Sequence, residues 1–147
     1  VKKNVWQKAV YCIYVLFTAA SALPALSLAG ACEAGAECVA TSEQGHFTVT
    51  FSPMPENIPL REYHDWVVEV RDPSGKPVEL DNLSVSGGMP GHGHGLPSQP
   101  KAEEYLGQGK YRVSGFLFNM HGDWVLRVHL IKDNIQDIAE TTFSLEY

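Results

Sequence analysis

Residues 124–131 read Trp-Val-Leu-Arg-Val-His-Leu-Ile, with Trp124, Leu126, Val128 and Leu130 at every second position. Successive side chains of a strand point to opposite faces, so this spacing predicts a half-buried β-strand. The same pattern recurs upstream. Phe47, Val49 and Phe51 alternate with His46, Thr48 and Thr50, and Trp66, Val68 and Val70 alternate with Val67, Glu69 and Arg71. Residues 78–86 carry Val78, Leu80, Leu83 and Val85, with an irregularity expected at Asp81-Asn82. Strands are also expected over 111–118 and over 137–147, the latter with Ala139, Thr141, Phe143 and Leu145 on one side.

The punctuation between these runs is turn chemistry. Asp72-Pro-Ser-Gly75 places proline where a type I turn wants its fixed φ, and Gly109-Lys110, Gly122-Asp123 and Lys132-Asp-Asn134 bound the later strands. No segment shows a capped helical stripe. Strands joined by short turns predict an all-β domain over 46–147, an immunoglobulin-like antiparallel β-sandwich of about seven strands. Trp66 and Trp124 are expected in its core, since each buries a large apolar area between the sheets.

Ahead of this domain the chain has the plan of an export signal. Lys2, Lys3 and Lys8 precede an uncharged stretch whose apolar heart is Val10-Tyr-Cys-Ile-Tyr-Val-Leu-Phe17. Pro24 and a small-residue tail ending in Ala29-Gly30-Ala31 follow, a pattern that a signal peptidase accepts. Residues 1–31 therefore read as a signal peptide, with an uncleaved anchor as the alternative, and 32–45 read as a flexible leader. Cys32 stands where a lipoprotein signal puts its lipidated cysteine, although Ala29 occupies the place usually held by leucine. The competing reading is a Cys32–Cys38 disulfide in an oxidising periplasm. The expected location is periplasmic or otherwise extracytoplasmic, with membrane attachment only through an uncleaved signal or a lipid on Cys32.

Composition excludes several classes of function. With 19% charged and 44% hydrophobic residues the chain is globular rather than disordered, and a net charge of −6 gives no footprint for nucleic acid. There is no Gly-x-Ser-x-Gly elbow and no His-Glu-x-x-His pair, and the carboxylates show no acid–base pairing, so no enzyme is expected. A blue-copper carrier needs a late cysteine beside its histidine and methionine, and none is present.

One segment departs from the strand pattern. Residues 87–97, Gly-Gly-Met-Pro-Gly-His-Gly-His-Gly-Leu-Pro, hold five glycines and two prolines in eleven positions and read as a loop. Met89, His92 and His94 lie within it. Two histidines two residues apart face the same side of an extended chain, and thioether plus imidazole suits copper better than magnesium or calcium. A second cluster, Asn119-Met-His-Gly-Asp-Trp124, sets Met120 and His121 between two expected strands. If the two loops share one end of the sandwich, Met89, His92, His94, Met120 and His121 surround one ion. The plainer alternative is a surface turn with methionines filling gaps beneath it. His46, His64 and His129 read as ordinary surface or sheet residues.

Taken together, Trp66 in a Val-rich strand, Gly88-Met-Pro-Gly-His-Gly-His-Gly95, Gly107-Gln-Gly-Lys-Tyr111 and Phe118-Asn-Met-His-Gly-Asp-Trp124 resemble the YtkA-like/FixH-like family. The resemblance runs from His46 to the C-terminus. It implies an exported or membrane-anchored β-sandwich associated with copper handling or with assembly of respiratory oxidases. The family's Met-Pro-x-His-x-His element falls on Met89, Pro90, His92 and His94. Its Met-x-Gly-x-Trp element falls on Met120, Gly122 and Trp124, with His121 at a variable position. The long permanent anchor expected of FixH itself is absent, which weighs against a cation-pump accessory role. Two functions follow as expectations. One is a periplasmic protein that binds Cu(I) or Cu(II) and delivers it to a membrane oxidase or another copper-accepting protein. The other is a metal-free accessory module that docks on a respiratory membrane complex.

Overall fold

The computed structural model describes residues 31–146, so the expected signal segment lies outside the described residues apart from Ala31. Ten strands form the domain: β1 (Ala31–Glu33), β2 (Cys38–Thr41), β3 (Thr48–Met54), β4 (His64–Arg71), β5 (Asn82–Met89), β6 (His94–Gly95), β7 (Lys101–Gly107), β8 (Lys110–Phe116), β9 (Gly122–Lys132) and β10 (Ile135–Leu145). The expected all-β class holds. The strand count is ten rather than about seven, because β1, β2 and β6 are only two to four residues long and β7 carries no clean alternation. In β7 both faces are largely exposed, and its pairing with β8 shifts register between Ala102 and Glu104 and again between Tyr105 and Gly107.

The strands are linked in the order β1-β10-β9-β5-β7-β8-β4-β3-β2, with β6 paired to β5, in one sheet nearly closed into a barrel. It is compatible with a two-layer sandwich. Among the described residues, the strand ladder between the halves β1-β10-β9-β5 and β7-β8-β4-β3-β2 is the single pair Ser84–Lys101 of β5 and β7. All named ladders are antiparallel except β1 with β10.

Alternation decides what the layers bury. Phe51, Trp66, Val68, Val113, Trp124, Leu126, Val128 and Phe143 all point inward. Aromatic rings join the two layers: Trp66 lies 5.7 Å from Phe143, and Phe118 lies 5.3 Å from Phe143 and 5.0 Å from Trp124, centroid to centroid. The two edge-to-face pairs, Phe118 with Phe143 and Phe118 with Trp124, add about 0.5–1.5 kcal/mol each beyond the area they bury.

The two outermost strands of the order, β1 and β2, meet at the open seam, and two devices hold them. A disulfide joins Cys32 to Cys38 with Cα atoms 5.8 Å apart, which takes the sulfur that a lipoprotein signal would modify. Farther along, buried Asp137 of β10 binds the β2–β3 turn. Its carboxylate accepts hydrogen bonds from Ser42 Oγ (2.7 Å) and Gln44 N (3.0 Å), and Glu43 N donates to Ile138 O (2.8 Å). Burial pushes the Asp137 carboxyl upward, but the bonds from Ser42, Gln44, Ile138 and His46 outweigh this and leave it below the ordinary carboxylate range. Residues 32–45 are therefore not simply a flexible leader. They supply β2, most of β1 and part of the closure, which a stretch of small residues and cysteines does not announce.

Candidate metal-binding loop

The glycine-rich segment is more ordered than its composition suggests. Strand β5 continues through Gly87 and Gly88 to Met89, because those glycines let neighbouring backbones come close. A Cβ on Gly87 would stand 2.4 Å from Val125 O, and one on Gly88 2.3 Å from His94 O. A 3-10 turn over Pro90–His92 follows and stops at Gly93, which takes a left-handed φ of 71°. Gly93 N donates to Met89 O (3.0 Å) and Pro90 O (3.2 Å). His94–Gly95 then returns antiparallel to β5, with Met89 opposite His94, and Leu96 N donates to Gly87 O (3.0 Å). The segment is a tight reversal pinned to the sheet at both ends.

The five expected donors divide. His92 and His94 are exposed at the tip, with ring centroids 5.6 Å apart. Met89 is 1% exposed and belongs to the core. Its Cε would lie 3.0 Å from a Cβ on Gly122, so the two motif segments do meet, through a methyl group against a glycine. Met120 is half-buried against the core, and its carbonyl accepts a hydrogen bond from Trp124 Nε1 (3.1 Å). His121 lines a separate cleft of about 620 Å³ with Cys32, Glu33, Leu60 and Leu145, a cleft that none of Met89, His92, His94 and Met120 lines. Among the described residues no three His, Cys, Asp or Glu side chains gather into a metal-binding group. The structure thus keeps His92 and His94 together as surface donors and sets Met89 beneath them as the loop's anchor.

The separation of the histidine rings lies within the limit that one shared ion sets. With metal–nitrogen bonds of about 2 Å, each ring centroid lies roughly 3 Å from a shared ion, so two such rings stand at most about 6 Å apart. The observed 5.6 Å lies inside that limit. Imidazoles suit copper, nickel and zinc, and they do not select among them by softness alone.

The other histidines have distinct places. His46 Nδ1 lies 3.1 Å from Asp137 Oδ2, and His129 Nε2 lies 2.9 Å from Ser86 Oγ. His64 is the sheet residue of the two alternatives, the first of β4, and it faces inward rather than the surface. It is 6% exposed, its ring lies 5.4 Å from that of Phe118, and burial lowers its pKa against the opposing effects of Glu62 and Asp65. The signal was present in the sequence: His64 stands in phase with Trp66, Val68 and Val70.

A family model described as YtkA-like matches residues 40–129, more than half of the chain. That span holds the histidine loop and the Met120–Trp124 segment. Neither the curated proteins nor the solved structures give a match.

Proposed function

The chain belongs to the YtkA-like family, and from that premise we propose that it is an exported, periplasmic copper-binding protein that takes the ion as cargo and passes it on. The observation that carries this reading is the pairing of His92 and His94, two exposed imidazoles with centroids 5.6 Å apart on a backbone-pinned turn. A pinned turn limits the entropy lost when the rings converge on an ion, which favours uptake. Two protein nitrogens leave further coordination positions for water or for an acceptor's ligands. That arrangement supports exchange rather than storage. Met89 serves the site by anchoring the turn in the core, and Met120 by packing under the neighbouring segment. The recipient is a copper-accepting protein, with a membrane oxidase the candidate that the family association suggests.

Electron paramagnetic resonance of the protein loaded with Cu(II) tests this reading. Imidazole nitrogen couplings in the native protein, absent from a folded His92→Ala/His94→Ala variant, are the expected result. A spectrum unchanged by the two substitutions removes the loop from the account. Absence of binding beyond weak surface association leaves the metal-free docking module as the better description.

A further inference from the structure

We propose that the Cys32–Cys38 disulfide is a reducible latch: exchange with a dithiol frees β1 from the sheet edge and opens the cleft that His121 lines. The bond joins strands at opposite ends of the strand order, so it ties together the two edges of a nearly closed sheet. What it holds is small. Strand β1 has three residues and three ladder partners, Thr142, Phe143 and Ser144 of β10. Cys32, Glu33 and Ala34 form one wall of the His121 cleft, with Ser144 and Leu145 on the β10 side. Releasing β1 removes that wall.

Access and retention both favour a local event. Cys38 is 3% exposed, whereas Cys32 is half-buried and lines the cleft, so an incoming thiolate reaches the Cys32 sulfur first. Its attack forms a mixed disulfide at Cys32 and breaks the Cys32–Cys38 bond, and the departing electron pair and a proton end on Cys38 Sγ. The second thiol of the reductant then attacks the mixed disulfide and releases Cys32 as a thiol. The reductant leaves oxidised, and the domain gains two electrons and two protons. The rest of the seam does not depend on this bond. Asp137 still holds the β2–β3 turn through Ser42 and Gln44, and β2 keeps its four-residue ladder with β3.

Amide hydrogen exchange on the purified protein, oxidised against dithiothreitol-reduced and alkylated, tests the latch. A Cys32→Ser/Cys38→Ser variant controls for the bulk of the alkyl groups. The expected result is about tenfold or greater loss of protection confined to residues 31–37 and their β10 partners, as in local rather than global opening. Faster carbethoxylation of His121 accompanies it. Unchanged protection in both reduced forms overturns the latch. Loss of protection across the whole sheet also overturns it, because the bond is then a structural staple. Failure of the native disulfide to react with millimolar dithiothreitol overturns it as well.

Discussion

The Cε methyl of Met89 rests against Gly122, so near that a Cβ at position 122 would stand 3.0 Å from it. Through this contact the His92–His94 turn and the Met120–Trp124 segment become neighbours, with a buried methionine packed between them. The contact gives Met89 a job distinct from coordination: it fixes where the turn leaves the sheet.

Substitutions at Met89 separate the two jobs. Met89→Leu conserves volume and removes the thioether, so it is expected to cost less than about 1.5 kcal/mol in urea unfolding and to leave copper affinity within about threefold. Met89→Ala removes the anchor and is expected to cost about 2–5 kcal/mol. Loss of copper binding in a stable Met89→Leu protein makes Met89 a ligand instead.

Gly88→Ala tests the close approach behind the loop. Its methyl would stand 2.3 Å from His94 O, so the β5–β6 pairing must give way. The expected outcome is about 1–3 kcal/mol of destabilisation together with weakened copper uptake. Unfolding curves and metal titration of the same preparation check both parts.

His64 gives stability a dependence on pH near neutrality. Its folded-state pKa lies below the ordinary value because burial disfavours the charged ring. The unfolded chain therefore binds the proton more readily, and stability falls as pH drops from about 7 toward 5. Urea midpoints across that range are expected to slope less in His64→Phe than in the native protein. An unchanged slope refutes the assignment to His64.

Asp137 acts at lower pH and with the sign of a depressed carboxylate. Its contribution is fully present above the unfolded value near 4 and is lost as pH falls through the lower folded value. Asp137→Asn is expected to cost about 1.5–3 kcal/mol at pH 7, the worth of hydrogen bonds to a buried charge. Its penalty should shrink in acid, which chemical denaturation at pH 7 and pH 3 measures.

Much of this fold was legible because alternation survives wherever one face of a strand meets the core. Trp124, Leu126, Val128 and Leu130 are buried as their spacing requires, and so are Phe47, Val49 and Phe51. Strand β7 was hidden because Lys101-Ala-Glu-Glu-Tyr-Leu-Gly107 has no sustained inner face and is interrupted by shifts in register. Gly87 and Gly88 read as loop residues because sequence cannot distinguish glycine chosen for freedom from glycine chosen for close approach. The grouping of the five candidate donors was the least legible part. It depends on which way each side chain faces, and β5 turns Met89 inward while the 3-10 turn leaves His92 outside.

Copper titration of the native protein against His92→Ala/His94→Ala, with circular dichroism on both, most directly tests the central claim. A saturable site in the native protein, weakened at least about tenfold in an equally folded variant, is the result the account predicts. Equal copper binding by the two proteins, or none by the native one, contradicts it.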